Sequence, residues 1–139
     1  MLWLKNWLRN YSLSPIPYSL LKMNHEPIVG ENYRVEYHPD TITINFQGVL
    51  RLAGMEEYEA IDDLLSKVAA NNPVKMTLNF EELEFLNSSG FSVLSKFAIA
   101  MRKQKVTEVI MIGSSDIAWQ AKSFKNLKRL LPNLTVEFK

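Results

Sequence analysis

The sequence predicts an α/β fold, a mixed β-sheet with helices packed against it, in the element order ββαβαβαβ. Three observations carry this. From Asn32 onward, segments with period-2 alternation take turns with segments whose apolar residues recur at helical spacing. Strands that alternate with helices in this way fold as a mixed sheet whose parallel pairs are joined by right-handed helical crossovers. At 139 residues the chain suffices for one domain with a sizeable core.

The elements follow in order. "NYRVEYH" and "TITINFQG" alternate around the turn signal Pro39-Asp40, which predicts a hairpin ending at Gly48. "MEEYEAIDDLLSKVAANN" sets Tyr58, Ile61, Leu65 and Val68 on one helical face and Glu56, Glu57, Asp62 and Asp63 on another. "VKMTLNF" after Pro73 reads as a short strand, with Glu81, Glu82 and Glu84 in a polar turn beyond it. The second helix is expected over Gly90 to Lys103, with Phe91, Leu94, Phe97, Ala98 and Met101 turned inward. "EVIMIG" is a buried strand. Ser115 or Asp116 can cap a third helix, whose inward face is Ile117, Ala121, Phe124, Leu127 and Leu131; Pro132 stops it before the last strand, "LTVEF".

Residues 1–30 read as an amino-terminal arm and residues 31–139 as the domain. In the arm, Leu4, Trp7, Leu8 and Tyr11 share a helical face, and the prolines of "SLSPIPYSLL" break the pattern. The segment is too short and charged for a membrane span. A mobile or loosely docked arm is the favoured reading. A true start at Met23 is the second; the alternative is an interfacial anchor using Trp3 and Trp7, with membrane contact confined to residues 1–22.

Composition removes several function classes. The hydrophobic fraction of 47%, the charged fraction of 22% and the net charge of +1 suit an ordinary globular protein with no bulk pull toward nucleic acid or anionic lipid. Absence of cysteine excludes thiolate chemistry and fits a reducing cytoplasm. The balance conceals a polarity: Glu31 to Gly90 holds 11 acidic and 4 basic residues, whereas Phe91 to Lys139 holds 3 acidic and 9 basic. Neither His25 nor His38 is placed to activate a serine, and two isolated histidines make a poor metal site. The scattered glycines spell no phosphate-cradling loop, so no nucleotide, metal or other cofactor is expected. Glu81, Glu82 and Glu84 read as solvated rather than catalytic. Lys122, Lys125, Lys128 and Arg129 read as a solvated helix face without the aromatic platform of a nucleic-acid binder.

The most specific stretch is "LNFEELEFLNSSGFSVL", where Asn87-Ser88-Ser89-Gly90 interrupts two apolar runs. Asn87 or Ser88 suits a helix cap. A cap alone does not account for Gly90, since glycine near a helix start weakens it by about 1 kcal/mol relative to alanine. Continuing the helix puts Ser88, Ser92, Ser95 and Ile99 on one exposed ridge, flanked by Lys96 and Lys103. Small hydroxyls leading to one unassigned isoleucine make a surface that a partner can lie against.

In register with the strand before it and the helix after it, "LNFEELEFLNSSGFSVLSKF" resembles the signature of STAS domains, the sulfate-transporter and anti-sigma-factor-antagonist family. The resemblance covers about Tyr33 to Lys139. It implies a STAS-like sheet and a non-catalytic regulatory binding protein in a bacterial partner-switching circuit. Ser88, or alternatively Ser89, would be phosphorylated by a serine kinase that is also an anti-sigma-like regulator, and a separate phosphatase would reset it. The implied partner face comprises Asn87, Ser88, Ser89, Gly90, Ser92, Ser95, Lys96 and Ile99. Gly90 would allow close approach of the partner's backbone, and Ser89 would support the turn. The family typically shows aspartate where this chain has Asn87. The alternative is a STAS partner of another effector, a nucleotide-second-messenger cyclase or a transporter, docked at the membrane through the arm; a hydrolytic enzyme comes last, because Ser88 has no nameable general base.

Overall fold

The computed structural model describes residues 26–139, so the readings made for the arm at Trp3, Trp7, Met23 and His25 lie outside the described residues. Ten elements follow one another. They are β1 (Ile28–Val29), β2 (Tyr33–His38), β3 (Thr43–Leu50), α1 (Gly54–Glu57), α2 (Glu59–Ala70), β4 (Lys75–Leu86), α3 (Ser88–Gln104), β5 (Glu108–Gly113), α4 (Ala118–Leu130) and β6 (Thr135–Phe138).

All six strands form one mixed sheet in sequence order. β1, β2 and β3 pair antiparallel, and β3 through β6 pair parallel. Because consecutive parallel strands are neighbours, right-handed crossovers put every connecting helix on the same face. α3 lies in the middle of that layer, packed on α1 and α2 to one side and on α4 to the other.

Alternation decides which sheet face the helices cover. Val35, Tyr37, Ile44, Phe46, Met76, Leu78, Phe80, Val109 and Met111 point into the core, while Asn45, Thr77, Asn79, Ile110 and Ile112 on the opposite face stay half-buried. Within the core, Phe46 stacks on Phe80 with ring centres 4.6 Å apart, and Phe124 joins them at 5.3 Å from Phe80. No described helix is long and apolar enough to cross a membrane.

The order departs from ββαβαβαβ in two places. The sheet gains the short edge strand β1, inside the stretch read as arm. The first predicted helix is also divided at Tyr58 (φ −89°, ψ −1°) into α1 and α2, although Tyr58, Ile61, Leu65 and Val68 are all buried as expected.

Further corrections come from packing. β3 runs two residues beyond Gly48, to Leu50. Gly48 sits at φ +89°, and a Cβ there would collide with the Asn32 carbonyl. β4 is 12 residues long, so Glu81, Glu82 and Glu84 lie in a strand and not in a turn. Two register shifts against β3, between Asn45 and Gln47 and between Gly48 and Val49, give β4 an extra residue each time; such bulges let pairing continue past a polar stretch. Glu82 Oε2 accepts from Gln47 Nε2 at 2.6 Å. In α3, Val93 is buried where Phe91 was expected, and Phe91 is half-buried. In α4, Gln120 is fully buried and Ala121 is exposed.

Candidate functional site

The site is built where β4 passes into α3. Leu86 ends the strand, the Asn87 amide donates to the Leu50 carbonyl at 3.0 Å, and Asn87 itself is extended (φ −79°, ψ 176°). Its carboxamide caps α3: Oδ1 accepts from the Gly90 amide at 3.0 Å. Two further bonds hold the same side chain. The Tyr58 hydroxyl donates to Oδ1 at 2.6 Å, and Nδ2 donates to the Leu52 carbonyl at 2.7 Å. Asn87 therefore ties together the end of β4, the loop after β3 and the α1–α2 break.

Tyr58 is 1% exposed. Burial pushes its phenol pKa above the ordinary tyrosine value, with the Leu52 backbone partly opposing this and Tyr33 adding to it. The hydroxyl consequently stays protonated and able to donate.

Ser88 and Ser89 open the helix. Ser88 is exposed, Ser89 half-buried, and neither hydroxyl hydrogen-bonds another described residue. Gly90, by contrast, is buried. A Cβ there would run into Leu86 Cδ1 and, at 2.7 Å, the Tyr58 hydroxyl. The missing side chain of Gly90 thus has a cause inside the domain, the close packing of Leu86 and Tyr58.

Beyond the knot the residues of the expected ridge differ in exposure. Ser92 and Lys96 are exposed and Ile99 is 42% exposed. Ser92 Oγ donates to the Ser88 carbonyl at 3.0 Å, and half-buried Ser95 donates to the Phe91 carbonyl at 2.9 Å. Lys96 bridges to Asp62 of α2 at 3.0 Å, so its ammonium is already engaged.

No protein-family model matches the chain, and no curated protein matches it. Solved structures do. A chain in the crystal structure of the diguanylate cyclase SiaD with its activator SiaC, from Pseudomonas aeruginosa, is similar over 82% of this chain and 99% of that one, at 10% identity and TM-score 0.64. Apo-SiaC from the same organism gives 84%, 99%, 12% and 0.65. An anti-sigma factor antagonist from Mycobacterium paratuberculosis gives 81%, 88%, 18% and 0.53. The chain has a STAS-like fold. At these identities the likeness establishes architecture alone.

Within the STAS-like fold the asparagine at the knot has a local cause. The Leu52 carbonyl 2.7 Å from Nδ2 requires a donor, and an aspartate carboxylate would set oxygen against oxygen there. From the sequence the cap lay between Asn87 and Ser88, and the structure gives it to Asn87; the other two anchors were not legible there. Tyr58 was legible only as a core residue; its role as a donor depends on a contact 29 residues away. Arg51, 4.7 Å over the ring of half-exposed Phe85, flanks the same junction and carried no recognisable signal.

Proposed function

We propose that this protein is a non-catalytic regulatory binding module that engages a protein partner through the amino-terminal half of α3 and is switched by phosphorylation of Ser88. One observation supports it above the others: the Ser88 hydroxyl is exposed and unbonded at the first position of α3, on a backbone that Asn87, Tyr58 and Gly90 fix from behind. Phosphate would add about −1.5 to −2 charge. A helix amino terminus tolerates an anion, so the fold would persist, while a dianion beside Ser92 and the acidic α1 would repel a partner selected for neutral hydroxyls. The Ser88 hydroxyl has no hydrogen-bonded base among the described residues, which fits a separate kinase and phosphatase performing the two reactions.

The similar structures bear on the effector. One is an anti-sigma factor antagonist, and others come from a system in which the protein activates a diguanylate cyclase. The anti-sigma-like regulator remains our first reading, and the likeness to SiaC favours a cyclase as the second. Genes beside its own separate the two: a kinase-like ATPase with a phosphatase, or a cyclase.

Intact mass with site mapping, on protein from its own cells before and after phosphatase, tests the switch. Phosphate on Ser88 is expected. Its absence under every growth condition would overturn the switch and leave a plain capped helix. Ser88→Asp is expected to weaken partner capture and Ser88→Ala to preserve it, both variants remaining folded; phosphate retained by the alanine variant would move the site, with Ser89 next in line.

A further inference from the structure

The helix layer is charged in opposite senses on its two flanks. α1 and α2 together carry five acidic residues against one lysine, and Glu56, Glu57, Glu59 and Asp63 are exposed. α4 carries Lys122, Lys125, Lys128 and Arg129, all exposed, and no acid. Between the flanks lies α3, whose outward ridge is small at its amino-terminal end and apolar at Ile99. α3 itself carries Lys96, Arg102 and Lys103 and no acid, but the strong contrast is between the flanks. A surface acidic on one flank and basic on the other is complementary to itself once turned over.

We propose that the chain pairs with a second copy of itself through this face, with the two α3 helices side by side and parallel. Symmetry selects the arrangement. In a closed pair each face meets its own copy. If the twofold axis ran across α3, α2 would face α2 and α4 would face α4, setting like charges together on both flanks. With the axis along α3, α2 of each copy faces α4 of the other, and both flanks attract. Ser88 and Ser92 permit close approach at the amino-terminal end, and Ile99 meets its own copy along the seam. Lys96 adds little repulsion, because Asp62 already holds it at 3.0 Å; Arg102 and Lys103 lie in the last turn of α3, beyond Ile99, and oppose the pairing only at that end.

The seam covers Ser88, so pairing competes with access to the hydroxyl. That competition rests on the reading of Ser88 as the switch; the pairing does not.

Sedimentation of the full chain over a range of concentrations tests it. A dimer is expected at low salt, weakened roughly tenfold or more when salt shortens the screening length. Glu59→Lys with Asp63→Lys, or Lys122→Glu with Lys125→Glu, should each give a folded monomer by circular dichroism and sedimentation. All four together should restore the dimer, since both flanks then attract again. A wild-type monomer at every concentration overturns the proposal. So does a dimer that survives either reversal, as one held by the amino-terminal arm would, and so does failure of the combined variant to recover. A dimer in protein whose Ser88 is never phosphorylated would sink the switch and leave the pairing standing.

Discussion

The starts of α3 and α4 are two solutions to the same problem. Both follow a parallel strand at the same end of the sheet, and both carry serines: Asn87-Ser88-Ser89 in one, Ser114-Ser115-Asp116 in the other. At α3 the cap is the local side chain of Asn87, and the Ser88 and Ser89 hydroxyls are left over. At α4 the cap position is Ile117, with no side-chain bond. Neither Ser115 nor Asp116 caps there; Ser115 Oγ donates to the Lys139 carbonyl and Ser114 Oγ accepts from the Asp116 amide. The tie comes from inside the helix. Gln120 Oε1 accepts from the Ser114 amide at 2.7 Å, and Nε2 donates to the carbonyls of Phe80 and Leu83 at 2.6 and 3.1 Å. One junction leaves hydroxyls open to a partner, whereas the other turns its serine hydroxyls to backbone groups of its own loop and of the carboxy-terminal strand end and ties itself to the bulged β4 through Gln120.

The largest expected effect breaks the α4 junction. Gln120→Leu removes the side-chain partner of the Phe80 carbonyl and the Ser114 amide and leaves the Leu83 carbonyl only Trp119 Nε1 at 3.3 Å, and about 3 kcal/mol of stability should be lost in urea unfolding. If the loss is under 1 kcal/mol, water replaces the glutamine and the contrast between the junctions weakens.

Gly90→Ala should cost about 1–2 kcal/mol. The added methyl overpacks Leu86 and Tyr58, and the better helix propensity of alanine offsets part of this. A neutral or stabilising result would show that the α3 start has room to spare.

Asn87→Asp should cost about 1 kcal/mol, with the cap kept and the bond to Leu52 lost. Unchanged stability would remove our reason for the amide at this position.

The smallest effect concerns pH. Burial raises the pKa of Tyr58, so folding favours its protonated form. The resulting stability is complete below the ordinary tyrosine value of about 10 and is lost as pH climbs through the folded value. Tyr58→Phe should flatten that alkaline loss in thermal unfolding followed against pH. Tyr37, also raised by burial, leaves a residual slope; an unaltered profile would show that burial does not hold the Tyr58 phenol in its protonated form.

By itself the sequence determined what depends on near neighbours. Alternation in "NYRVEYH" marked a strand, the spacing of Tyr58, Ile61, Leu65 and Val68 oriented α2, and Asn87-Ser88 ahead of an apolar helical pattern marked a cap at one or the other. Those features repeat within one turn of helix or two residues of strand, so the order of residues carries them. The tertiary structure decided what depends on distant groups meeting. The length of β4 through Glu81–Glu84 follows from its partner β3. Ala121 gives way to Gln120 in the core because bulged carbonyls across the helix–sheet contact need donors. Gly90 faces inward because Tyr58 and Leu86 converge on it. In each case a buried polar group or a close approach must be satisfied by a residue far along the chain, and no local pattern names that residue.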